Sequence, residues 1–336
     1  MDRRTFLAAL PAAMAAPTPR PPMGLVIHSF GARQRKPLPP AFTPVADPLD
    51  FIAHAAALGA AGVQTRLVGD PARLRAAAET HGLYLEGSVG LPTTDAEVDR
   101  FATELRTARA AGADVVRTVC LSGRRYETFD SAERFRRFAA DARKAVERAE
   151  PVARRERVTL AVENHKDWRT DELVALVRGV SSERVRVCVD TGNSVALLED
   201  PAATVAALAP FAATTHLKDM GVREADDGFL LSEVPFGDGF LDLPKLVGVL
   251  RAANPRVRLN LEMITRDPLR VPCLTERYWA TLPDVPAREL AAALARVRRH
   301  RSPKPLPTVA GLDHPAVLAA ELANVERCLR YAAEKL

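Results

Sequence analysis

Four apolar runs in this chain each end on a side chain that can hold a metal ion or move a proton. VTLAVENH reaches Glu163 and His165, VRVCVDTGN reaches Asp190 and Asn193, FAATTHLKD reaches His216, Lys218 and Asp219, and VRLNLEM reaches Glu262. A carboxylate at the end of a buried strand is costly unless something pairs it. One such residue is usually structural or solvated. Four in series, as Glu, Asp, His and Glu, point to a shared purpose. Three carboxylates and an imidazole make a hard, oxygen-rich set suited to one divalent ion: Mn, Mg or Co, with Zn less comfortable. Carboxylates that close would repel one another without a cation.

The elements that must position these side chains alternate regularly. Strands are expected at 24–30, 62–68, 83–89, 114–120, 158–165, 185–193, 213–219 and 257–263, each apolar and rich in β-branched residues. Helices are expected between them. Asp47-Pro48 and Asp200-Pro201 have the cap-then-proline form of a helix start. Pro71 to His81 reads as a helix stopped by Gly82, and Thr94 with Glu97 as a capping box. The helix 130–155 carries Pro151, where a bend is expected, and the segment between the seventh strand and Leu243 reads as an acidic, glycine-bearing loop. Eight strand–helix units without a GxGxxG predict an α/β fold, a (β/α)8 TIM barrel. Such barrels place their chemistry at the carboxyl ends of the strands, where all four candidate ligands fall.

Residues 265–312 are less regular and read as an insertion over the rim. A final helix follows, capped by Asp313 with Leu318, Leu322, Val325 and Leu329 on one face; it forms a C-terminal helical extension that closes the barrel. The domain is thus expected over 23–336. Before it, MDRRTFLAALPAAMAAP has Arg3 and Arg4, then Phe6 and Leu7 and a short apolar run. Residues 1–22 resemble a twin-arginine signal peptide, which implies export, to a periplasm, and leaves no stable membrane span after its removal.

Composition excludes other classes. The 336 residues are 47% apolar, as in a globular protein with a sizeable core. The net charge of +5 comes from Arg interspersed with acids rather than blocked, and aromatics are 5%, so no nucleic-acid partner is expected. Cys120, Cys188, Cys273 and Cys328 lack CxxC spacing and predict neither disulfide framework nor zinc–cysteine site. The oligomeric state stays open, with a homo-oligomer compatible.

The motifs VENH, CVDTGN, THLKD, FGDGFLD and LNLEM resemble those of the xylose isomerase-like TIM barrel superfamily, in its sugar phosphate isomerase/epimerase branch. The resemblance covers about residues 24 to 265 and the last helix. It implies that Glu163, Asp190, His216 and Glu262 hold one divalent cation, and that Glu163 and Glu262 double as catalytic acid/base groups. A hydrogen beside a carbonyl is weakly acidic. A Lewis acid on the carbonyl oxygen stabilises the enediolate, and a carboxylate on each face can remove a proton and return it. The expected activity is a metal-dependent isomerase or epimerase in carbohydrate metabolism. The alternatives are a lyase or hydratase on a 3-keto-glycoside or inosose-type substrate, and a non-catalytic sugar-binding barrel.

Substrate contacts are expected from His28, Glu86, His165, Asn193 and Lys218, with Arg66, Arg117 and Trp168 also near strand ends. Asp219 is expected to support His216 from behind. Nuclease relatives carry a His three residues after the Asp where this chain has Asn193, and strand four offers Thr118 and Cys120, so a nuclease is excluded. The acids Asp226, Asp227, Glu233 and Asp238 would repel a phosphate, which favours a neutral sugar or keto-sugar.

Overall fold

A computed structural model describes residues 22–35 and 37–336. The proposed signal peptide lies outside them except for its last residue. Eight parallel strands form the barrel: β1 (Met23–Val26), β2 (Gly62–Thr65), β3 (Tyr84–Ser88), β4 (Val115–Thr118), β5 (Thr159–Glu163), β6 (Val185–Asp190), β7 (Ala212–His216), and one further along the chain, Leu259–Leu261. That last strand pairs with β1 from Met23↔Leu259 to Leu25↔Leu261. Parallel bridges Thr214↔Arg258 and Leu217↔Leu261 close the ring against β7. The fold is a TIM barrel.

Helices fill the crossovers: α1 (Pro48–Ala57), α2 (Pro71–His81), α3 (Val98–Ala110), the short α4 (Arg125–Thr128), α5 (Ala132–Glu156), α6 (Thr170–Val180), α7 (Pro201–Leu208) and α8 (Leu243–Ala253). Three begin with Asp-Pro. Asp47, Asp70 and Asp200 each accept a hydrogen bond from a first-turn N–H, and the proline gives up an N–H that would have gone unpaired. Pro151 lies inside α5, which continues through it to Glu156.

Two stretches differ from the sequence expectation. The first strand ends at Val26, and Ile27–Phe30 forms a 3-10 turn that carries His28 at the barrel mouth. The segment expected as a loop is an antiparallel hairpin, β8 (Asp219–Ala225) and β9 (Gly228–Val234). The barrel strand Leu259–Leu261 is then β10, and β11 (Leu269–Val271) joins the hairpin edge. Val222, Phe229 and Leu231 bury one face of this small sheet beneath α9 (Glu276–Trp279) and α10 (Ala287–Arg299) in a hydrophobic cluster of their own with Tyr278 and Val297. The apolar alternation was present in the sequence, masked by the acids around it.

The last helix, α11 (His314–Lys335), inserts Val325, Cys328, Leu329 and Ala332 into the main core. Its Glu321 accepts hydrogen bonds from the backbone N–H groups of Ala32 (2.7 Å) and Arg33 (3.3 Å), which ties it to the loop after β1. The cysteines are free. Among the described residues no helix is long and apolar enough to cross a membrane.

Candidate metal centre

Glu163, Asp190 and His216 are the last residues of β5, β6 and β7, and Glu262 follows β10 directly. Adjacent registers bring Asp190 beside His216. All four side chains are buried, and one donor atom from each lies within 4.8 Å of the others. Donors at about 2.0–2.4 Å from one ion can be no farther apart than about 4.8 Å. Nδ1 of His216 lies 3.5 Å from Glu163 Oε2 and 3.4 Å from Glu262 Oε1.

The imidazole is oriented by a residue that the strand-end pattern did not reveal. Gln64 on β2 places its Oε1 2.6 Å from His216 Nε2 and donates through its amide nitrogen to Glu86 Oε2 at 3.0 Å. With the carbonyl end of Gln64 facing it, Nε2 carries a proton, and Nδ1 is the ring nitrogen turned toward the carboxylates. Nδ1 of His216 and Oδ2 of Asp190 are buried without a hydrogen-bond partner. Burial opposes a charge on His216, but Cys188, Glu262 and Glu163 outweigh it and raise the imidazole well above its usual value. The three carboxylates here thus call for positive charge at Nδ1, which a divalent ion would supply in place of the proton.

Protein cations also enter. Arg117 on β4 places Nε 2.6 Å from Glu163 Oε2. Lys218 forms ion pairs with both Glu262 and Asp190, its Nζ 2.6 Å from Glu262 Oε2 and 3.0 Å from Asp190 Oδ2. Burial opposes the charge on Glu163, but Arg117 and His216 outweigh it and hold its carboxyl well below the usual range. Burial likewise opposes the charge on Glu262, where Lys218 and His216 win. At Asp190 burial prevails over Lys218 and the pKa is raised.

Asn164 clamps the scaffold. Its amide donates to the Asp190 carbonyl at 2.9 Å and its Oδ1 accepts from the Asp190 N–H at 2.7 Å, locking β5 to β6. Asp190 Oδ1 in turn accepts from the N–H groups of Gly192 and Asn193, both at 2.8 Å.

A cavity of about 380 Å³ opens above the cluster. Of the residues expected to contact substrate, His28, His165 and Lys218 line it, with Arg117 and Glu262. His28 Nδ1 lies 2.8 Å from Glu262 Oε1. Burial and the neighbouring Lys166 push His165 down to about 3, so it is neutral. Lys166, Arg124 and Arg266 complete a cationic wall that faces only Glu127 and Glu262. None of the four acids expected to repel a phosphate lines this cavity, and three of them are held by arginines. Glu233 is bound by Arg266, Asp227 by Arg270 and Asp238 by Arg327.

Other expected site residues sit elsewhere. Glu86 is not at the mouth. It is buried inside the barrel, where it accepts from Gln64, Thr214 and Asn260 and pairs with Arg258. Asn193 is buried with its valences spent: Nδ2 donates to Glu163 Oε1 at 3.0 Å, and Oδ1 accepts from Lys166 and Lys218. Asp219 does not touch His216. It accepts from the N–H groups of Met220, Gly237, Gly239 and Leu241 and so folds the FGDGF loop. Arg66 pairs with Glu104 at the surface, and Trp168 packs on Phe135 and Phe138. Glu163 and Glu262 also differ in access. Glu262 lines the cavity, whereas Glu163 is fully buried between Arg117, Asn193 and His216.

Known proteins share this architecture. The family description "Xylose isomerase-like TIM barrel" matches residues 52–299. A curated relative, the 3-oxo-isoapionate decarboxylase of Pectobacterium atrosepticum, is 27% identical over 193 residues, 56% of this chain and 65% of that protein, so the match spans less than two thirds of the relative. The solved structure of an L-ribulose 3-epimerase aligns with a TM-score of 0.56 at 14% identity, covering 93% of this chain and 96% of that one. A xylose isomerase-like barrel protein from Mycobacterium smegmatis, in complex with magnesium, aligns with a TM-score of 0.54 at 17% identity, covering 81% and 97%. Identities this low speak to the fold alone.

Proposed function

The chain belongs to the xylose isomerase-like TIM barrel family, and from that premise we propose that it is a divalent-metal-dependent sugar isomerase or epimerase that moves a proton next to a carbonyl. Glu163, Asp190, His216 and Glu262 are the residues that would hold the ion. When bound, it supplies Lewis-acid stabilisation of charge developing on a carbonyl oxygen.

The rest is done by the chain's own side chains. Glu262 is the base, because it is the carboxylate of the set that lines the cavity. His28, 2.8 Å from it and half exposed, can pass the proton to solvent. Lys218 faces the cavity beside Glu262 and stabilises negative charge on the substrate oxygen. Glu163, closed behind Arg117, acts as a ligand and not as a second base. Unequal access is the observation that carries the reading. One base suffices for aldose–ketose isomerisation, whereas epimerisation needs both faces.

A screen of keto-sugars in deuterated water with Mn, Co and Mg tests it. Wild-type protein exchanges the proton next to the carbonyl. Glu262→Gln abolishes exchange, and Glu163→Gln acts mainly by weakening metal affinity. Exchange at the wild-type rate in Glu262→Gln rules the scheme out, and no exchange with any sugar leaves the binding barrel.

The cationic wall supports a second reading, decarboxylation of a 3-oxo sugar acid. The bond from carbon to carboxylate breaks, carbon dioxide leaves, the electron pair moves onto the carbonyl, and the resulting enolate carbon takes up a proton. Release of carbon dioxide from a 3-oxo acid distinguishes it from isomerisation.

A further inference from the structure

We infer that the cavity takes a substrate bearing one carboxylate and that Lys166 is the side chain that receives it. This rests on the reading of the cavity as an active site and names its substrate class.

Lys166 follows the end of β5, where its carbonyl accepts from the Arg125 N–H at 2.8 Å and fixes the turn. It lines the cavity yet is only 3% exposed. Its Nζ donates to Asn193 Oδ1, and Lys218 Nζ reaches the same oxygen at 3.2 Å. Two ammonium groups therefore share one neutral acceptor. Lys218 has Asp190 and Glu262 as counter-ions. Arg117 has Glu163, Arg266 has Glu233 and Arg124 has Glu127. Among the described residues Lys166 forms no ion pair, and Glu233 and Asp190 act on it only at longer range.

A buried ammonium without a counter-ion is destabilising. Burial and Lys218 push Lys166 down to about 8, which still leaves it mostly charged at neutral pH. A divalent ion on the strand-end donors adds to this imbalance, because Arg117 and Lys218 already offset two of the three carboxylates. The missing partner is an anion that arrives with the substrate.

A carboxylate fits better than a phosphate. Barrels of this type cradle phosphate on backbone N–H groups of the loops after the seventh and eighth strands. Here the N–H groups of Gly237, Gly239 and Leu241 are already taken by Asp219. A single lysine with one donor spent on Asn193 suits the two oxygens of a carboxylate, and about 380 Å³ accommodates a five- or six-carbon sugar acid.

Matched ketoses test this, each as the neutral sugar, the uronate and the terminal phosphate: D-fructose, D-fructuronate and D-fructose 6-phosphate, and their stereoisomers. Calorimetric titration, with and without Mn, reads binding independently of turnover. For at least one skeleton the uronate binds about tenfold or more tighter than both its counterparts. Lys166→Met and Lys166→Gln bring that ratio close to one, and Lys166→Met keeps or raises the melting temperature, because a buried unpaired charge is removed. No uronate preferred over its neutral sugar, or a ratio unchanged in both variants, overturns the inference. So does a lowered melting temperature with the ratio intact, the mark of a structural lysine. Exchange confined to neutral ketoses defeats the carboxylate and leaves the proton-transfer reading standing. Lys166-dependent uronate binding without exchange in deuterated water does the reverse.

Discussion

Gln64 holds His216 from inside the barrel, its Oε1 2.6 Å from Nε2 of the imidazole, while its amide nitrogen binds the buried carboxylate of Glu86. The chain Glu86–Gln64–His216 fixes which ring nitrogen faces the other donors. Gln64→Leu is therefore expected to weaken affinity for Mn by about 10–100-fold. Titration of the metal-free protein checks it; unchanged affinity would mean that the ring is held by packing alone.

Metal removal has a separate signature. Four buried donors that gain a common ion on folding couple its binding to stability. At a free ion concentration 100 times its dissociation constant, the gain is about 2.7 kcal/mol. Chelation is expected to lower the melting temperature and Mn to restore it, and Glu163→Gln to respond less to added Mn. A melting temperature indifferent to both chelator and metal counts against the centre.

Asp219 anchors the loop between β9 and α8 through three backbone N–H groups, those of Gly237, Gly239 and Leu241, and accepts a fourth hydrogen bond from Met220 on its own strand. Asp219→Ala leaves those donors without an acceptor and is expected to cost about 2–4 kcal/mol of stability. Asp219→Asn keeps one acceptor oxygen and costs less. A β-carbon at Gly239 would run into the same carboxylate, so Gly239→Ala is expected to destabilise the same loop. Denaturant melts of the three variants rank them.

Glu321 gives a pH dependence away from the metal centre. Burial, the dominant cause, pushes its carboxyl up to about 7, against the N–H groups of Ala32 and Arg33 that favour the charged form. A carboxyl whose pKa rises on folding binds more protons in the folded state. Its contribution is full below the unfolded value near 4.5 and is lost as the pH rises through about 7. Glu321→Gln, which mimics the protonated form, should gain in melting temperature relative to wild type between pH 5 and 8. A constant difference across that range would show that Glu321 does not titrate there.

Local rules made much of this legible before any coordinates. Asp47 and Asp200 with their prolines start helices because a cap and a missing N–H act within one turn. Glu163, Asp190, His216 and Glu262 converge because parallel strands in a ring bring equivalent ends together. Long-range partners were not legible. Gln64 is 152 residues from His216, and nothing near it in the chain marks it as a support. Lys166 looks like any loop lysine until burial and the absence of a paired acid are seen. Asp219 beside His216 in the chain suggested a partnership, but the strand leaves the barrel between them and turns the carboxylate toward the glycine loop.

The two hydrophobic clusters divide the molecule's labour. Strands ending in the four donors root in the main core, whereas Phe229 and Leu231 root in the smaller one with Tyr278 and Val297, on the same strand β9 as Glu233, which holds the wall residue Arg266. The part of the wall that Arg266 forms can thus be rebuilt without disturbing the packing under the donors. A laboratory search for altered substrate range belongs in the 264–266 turn, which lines the cavity, and at Glu233, which holds Arg266 there. Divergence among relatives should follow the same seam, with barrel interiors changing slowly and hairpin sheets quickly.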